Sequence, residues 1–116
     1  MTSPETVTLY RPVGQAELDR IQESGWRIFP PRLPEQPIFY PVTSEDYARE
    51  ITVKWNIPES GVGYVTRFEV LKTFADRYEI HRVGGTDHTE WWIPAEDLDE
   101  LNRSIVGTIE VIGEYR

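Results

Sequence analysis

The run Gly63-Tyr64-Val65-Thr66-Arg67-Phe68-Glu69-Val70-Leu71 is dense in β-branched and aromatic residues. At a period of two it places Tyr64, Thr66, Phe68 and Val70 on one face, which predicts a central strand. Turn chemistry precedes it at Asn56-Ile57-Pro58-Glu59-Ser60-Gly61, and a short helical turn is expected after it over residues 72–77. Further upstream, residues 7–13 read as a first strand that Pro12 ends or confines to an edge. Residues 15–24 form a short amphipathic helix with Leu18 and Ile21 on one side and Gly25 at its C′ position. Residues 26–29 are expected to be a second strand. Pro30, Pro31, Pro34 and Pro37 then stiffen a loop over residues 30–37 and exclude both helix and paired strand. A short apolar strand follows at residues 38–42, and Thr43 or Ser44 caps a helix over residues 45–55 whose stripe is Tyr47, Ala48, Ile51 and Trp55.

Downstream of the central run, residues 78–83 and 89–93 read as strands joined by a hairpin-like connection at Gly84-Gly85-Thr86-Asp87. Pro94 opens a third helix with Ala95, Leu98, Leu101 and Ile105 at helical spacing, Gly107 breaks the pattern, and Ile109, Val111 and Tyr115 alternate in a final strand. Helices interspersed with hairpin-like strand pairs predict an α+β fold over residues 1–116, a single domain with about three helices and a mostly antiparallel sheet, whole or split.

At 116 residues the chain is long enough to bury roughly two-thirds of its unfolded surface around one core. Twelve basic against twenty acidic side chains leave a net charge of −8, which repels phosphate backbones and anionic lipid, so nucleic acid and membrane surfaces are poor partners. The absence of cysteine removes disulfides, thiolate metal sites and cysteine nucleophiles, and fits a reducing compartment. With no basic and apolar leader at the N-terminus and apolar runs too short to span a bilayer, a cytoplasmic location is expected.

Few positions carry candidate chemistry. His81 and His88, with Asp87 and Glu90 nearby, match no standard zinc spacing, so no metal is expected. No serine lies in a Gly-x-Ser-x-Gly elbow, and Gly61-Val62-Gly63 and Gly84-Gly85 lack the spacing of a phosphate loop. The acidic stretch at residues 96–100 is the solvated face of the third helix or a docking surface for a basic partner. Glu90 stands out because it precedes Trp91-Trp92-Ile93 in an apolar strand; alternation turns Glu90 and Trp92 one way and Trp91 and Ile93 the other. Arg11 shares a strand face with Leu9, so it either snorkels or pairs with a carboxylate.

A resemblance that spans nearly the whole chain is carried by Leu9-Tyr10-Arg11-Pro12-Val13-Gly14, residues 29–42 from Phe29-Pro30-Pro31-Arg32 to Tyr40-Pro41-Val42, and Glu90-Trp91-Trp92-Ile93-Pro94-Ala95-Glu96-Asp97-Leu98 with Asn102-Arg103-Ser104-Ile105-Val106-Gly107. They resemble small bacterial proteins catalogued as "ADP-ribosylation/crystallin J1". More loosely, the order of an aromatic-Arg strand, a helix, an aromatic strand running into Ser/Thr and a helix, and a late strand bearing Glu is similar to a compact ADP-ribosyltransferase. That resemblance implies NAD as substrate, with Arg11 holding it, Tyr40 or Thr43 and Ser44 shaping the nicotinamide pocket, and Glu90 as the catalytic carboxylate on the ribose. His88 stands two residues before Glu90, where transferases acting on protein side chains carry Glu or Gln, so activation of an acceptor is not implied. The other function class is a non-catalytic acidic binding or regulatory module of the immunity or antitoxin type, engaging a basic protein partner.

Overall fold

A computed structural model describes residues 5–32, 36–82 and 89–116. The expected connection at residues 84–87, His88 and the middle of the proline loop, residues 33–35, lie outside the described residues. The architecture is α+β with antiparallel pairing throughout the described strands. β3 (Gly63–Leu71) is the middle strand, flanked by β1 (Thr6–Val13) and β7 (Ile105–Tyr115). Its first half is covered on both faces, Val65 being as buried as Phe68, whereas Glu69 further along the Val65 side is exposed. A second pair, β4 (Ile80–Arg82) with β5 (Thr89–Trp91), is joined to β1 through one residue: Val42 pairs with Tyr10 on one side and with Glu90 on the other. β2 (Ile38–Phe39) pairs with β6 (Ile93–Pro94) as a separate two-stranded ladder, so the sheet is split.

One face of the sheet carries the larger core. Leu9 and Val13 of β1, Phe68 and Val70 of β3 and Ile109 of β7 meet Leu18 and Ile21 of α1 (Gln15–Glu23) and Leu98 and Leu101 of α5 (Leu98–Ser104). Phe29 sits at its centre, 4.8 Å from the Phe68 ring and 5.1 Å from the Phe39 ring, in tilted or edge-on contacts that aromatic quadrupoles favour. The opposite face is a smaller cluster of Val42, Val65 and Ala48, the last from α2 (Glu45–Ile51). Ser44 rather than Thr43 caps α2, its hydroxyl accepting from Tyr47 N–H.

Three segments depart from the sequence expectation. Residues 26–29 are not a strand, because left-handed φ values at Gly25 and Trp26, 80° and 65°, turn the chain at the end of α1. Their backbone groups bond elsewhere: Arg27 and Ile28 N–H donate to the Ser24 hydroxyl, and the Asn102 carboxamide both accepts from Phe29 N–H (2.9 Å) and donates to Phe29 C=O (3.1 Å). The second helix continues past residue 55 through a π-type turn at Thr52–Asn56 into α3 (Ile57–Ser60), where Pro58 fits a first-turn position and Gly61 ends the run with φ 82°. Trp55 therefore leaves the expected apolar stripe and is 69% exposed. Third, Ile105 leaves the helical pattern and begins β7; Gly107, at φ 84°, lies where the β3–β7 register slips, a bulge position that a side chain would strain. No helix among the described residues is long and apolar enough to cross a membrane.

Asn102→Ala should leave two Phe29 backbone groups without partners and lower stability by about 1–3 kcal/mol in chemical denaturation, with the unfolding slope unchanged. A loss below a few tenths of a kcal/mol would show that water replaces the carboxamide. Tyr78 offers a second test: burial and the hydrogen bond to Asp97 (2.8 Å) push its hydroxyl up to about 12 from the usual 10. The folded protein thus holds this proton more tightly than the unfolded chain. Its contribution is complete below pH 10 and is lost between pH 10 and about 12. Tyr78→Phe should flatten that alkaline loss in melting curves recorded over the same range.

Candidate functional site

The ladder between β1 and residues 40–42 stops after one bonded pair. Tyr10 N–H donates to Val42 C=O (2.9 Å) and Val42 N–H to Tyr10 C=O (2.7 Å). The next pair would set Pro12 opposite Tyr40, and Pro12 has no N–H to give. The strands separate there. On the other side, Thr43 N–H donates to Thr89 C=O and Trp91 N–H to Pro41 C=O, which makes Val42 and Glu90 a non-hydrogen-bonded pair with their side chains close together on one face.

A cleft of about 470 Å³ opens at this separation, lined by Arg11, Pro12, Tyr40, Trp55, Glu90 and Trp92 among others. Three of its walls are exposed aromatics: Tyr40 at 40%, Trp92 at 41% and Trp55 at 69%. Tyr40 meets Trp92 edge-on at 6.4 Å, and the His81 ring, carried opposite Glu90 on β4, lies flat on Trp92 at 3.9 Å. Glu90 is half-buried beside them, and its carboxylate accepts a hydrogen bond from Trp92 Nε1–H at 2.9 Å. Its charge is felt on the same face: burial, then Glu90, then Glu50 push the Tyr47 hydroxyl above its usual value. The alternation read from the sequence holds here, with Trp91 and Ile93 buried and Trp92 turned outward.

Arg11 lines the same cleft, but its guanidinium is directed elsewhere. Register puts Arg11 with Leu9 and Val13 on the face of the larger core, whereas Glu90 follows Val42 and Tyr10 on the other. Arg11 grips Glu17 of α1 with two hydrogen bonds, Nε at 2.7 Å and an Nη at 2.9 Å, and lies 4.3 Å from the centre of the Phe39 ring. Removing one partner of such a largely buried pair strands the other's charge, at about 3–5 kcal/mol. Of the alternatives left open at its position, Arg11 is the carboxylate partner.

Ser44 and Thr43 do structural work away from the cleft lining: Ser44 caps α2, and the Thr43 hydroxyl hydrogen-bonds that of Thr89 across the strand pair. The cleft thus brings together Tyr40 and Glu90, with the Arg11 stem at its edge and without Thr43 or Ser44. Sequence reasoning had no sign of Trp55 as a wall, because helical spacing put it in the core stripe. Pro12 was legible only as a strand end. Among the described residues no group of three or more His, Asp or Glu could hold a metal ion. Comparison with protein-family models, with curated proteins and with solved structures returns no match to this chain.

Proposed function

We propose that this domain binds an NAD- or ADP-ribose-type nucleotide in the Tyr40–Trp92 cleft, with Glu90 on the ribose. What supports the reading is one juxtaposition: a half-buried carboxylate flanked by exposed aromatic rings at a break in the sheet. Aromatic faces suit a planar base or nicotinamide ring, and a carboxylate accepts hydrogen bonds from ribose hydroxyls. The Trp92 indole N–H donates to the Glu90 carboxylate and holds it in place. NAD would supply a C1′–N bond whose electron pair leaves with the nicotinamide nitrogen as positive charge develops on the ribose; a fixed carboxylate beside that ring would stabilise the charge until water bonds to C1′ and loses a proton, giving ADP-ribose. Arg11 serves this reading by fixing the cleft edge through Glu17 and Phe39 rather than as a free ligand for the diphosphate. The rival reading, an acidic module for a basic partner, draws on the same exposed Trp55 and Trp92 as anchors.

Tryptophan fluorescence with added NAD or ADP-ribose reads binding directly, and nicotinamide release reads cleavage. Glu90→Gln keeps the shape and removes the charge, so release should fall by roughly 10²-fold while affinity changes little. Trp92→Ala should instead weaken binding by about 1–3 kcal/mol, the worth of one aromatic stack on a base. Wild-type protein that neither quenches nor releases nicotinamide at millimolar NAD would overturn the nucleotide reading in favour of the acidic module.

A further inference from the structure

The face of the sheet opposite Glu90 holds a second cluster that the nucleotide reading does not use. A shallow cleft of about 300 Å³ is lined by Glu17, Arg20, Arg32 and Gln36, with Pro30 and Pro31 as a wall of fixed φ. Glu17 already answers Arg11 with both carboxylate oxygens. Arg32 shares that neighbourhood: its guanidinium lies 5.9 Å from the centre of the same Phe39 ring that Arg11 covers at 4.3 Å. Burial, then the Arg11 charge, hold Arg32 below the usual arginine range, and Glu17 and Tyr40 only partly offset them. Its Nε is sealed from solvent with no hydrogen-bond partner among the described residues. Arg20 and Arg32 line the cleft with a single lining carboxylate, that of Glu17, which Arg11 already engages.

We propose that this cleft is a binding site for a compact phosphate-type dianion, with Arg32 and Arg20 as its ligands and the Arg11–Glu17 pair as its support. The chemistry selects this ligand class. A planar, weakly hydrated guanidinium matches the tetrahedral oxygens of a phosphate in a bidentate fork, and two such forks neutralise a double charge that one carboxylate ligand would not. Arg32 lies near Arg11, whose carboxylate partner Glu17 only partly offsets the repulsion, and a bound dianion supplies the further negative charge. The proline wall keeps the cleft open without an ordering cost on binding. The proposal goes beyond the nucleotide reading and does not need it, since the two clefts share no lining residue.

The test follows the arginine side-chain Nε–H and backbone amide NMR signals of the full chain as sodium phosphate replaces sodium chloride at constant ionic strength. A saturable shift at Arg32 and Arg20, with half-saturation at millimolar phosphate or below, is expected. Arg32→Gln should raise that midpoint at least tenfold, and Arg20→Gln, at an exposed helix position, severalfold with an unchanged melting curve. Shifts that track ionic strength without saturating, or variants that bind phosphate like the wild type, would overturn the proposal. NAD binding is read separately at the Glu90 and Trp92 amides, so either site can fail while the other stands.

Discussion

Everything on the functional side of this fold depends on Val42. Its backbone bonds to Tyr10 on one side, and its neighbours Pro41 and Thr43 bond to β5 on the other, so a single residue carries the sheet from the three long strands to the β4–β5 pair. The residue is fully buried between Ala48 and Val65, which fixes its register against both neighbours. Because opposed residues in an antiparallel pair share a face, this one position sends Tyr10, Val42 and Glu90 to the same side. A slip by one residue would move Glu90 to the larger core, where an unpaired carboxylate could not be tolerated.

The two prolines beside this link give it its limits. Pro12 supplies no donor for a second rung, so the ladder ends and the cleft opens where Tyr40 leaves β1. Loss of pairing is thus turned into an accessible hollow without a long loop. The walls that remain are aromatic: Trp92 contacts both Tyr40 and His81, while Tyr40 and Trp92 stay open to solvent.

Charge is segregated across the same sheet. On the Glu90 face the carboxylates of Glu90 and Glu50 are felt at the Tyr47 hydroxyl. On the other face Arg11 and Arg32 crowd around Phe39, and Glu17 is the carboxylate between them. The strand separates these fields by one step of its pleat. The arginines of the proposed phosphate site come from separate segments and form no basic run in the sequence.

Local pattern was enough to determine the α+β class, the central place of residues 63–71, the ends of α1, the capping of α2 and the outward turn of Glu90 with Trp92. Each of these follows from period, caps or alternation within a dozen residues. What the tertiary structure decided was set by partners far along the chain. Phe29 gave up strand pairing because Asn102, 73 positions away, satisfies its backbone better than a neighbouring strand could. Trp55 looked like core at helical spacing, but the π-type turn shifted its phase by one residue and put it outside. Arg11 looked equally able to meet Glu90 or to snorkel. It was claimed by Glu17 because α1 folds back onto the β1 face that Arg11 shares with Leu9, a choice that no local spacing encodes.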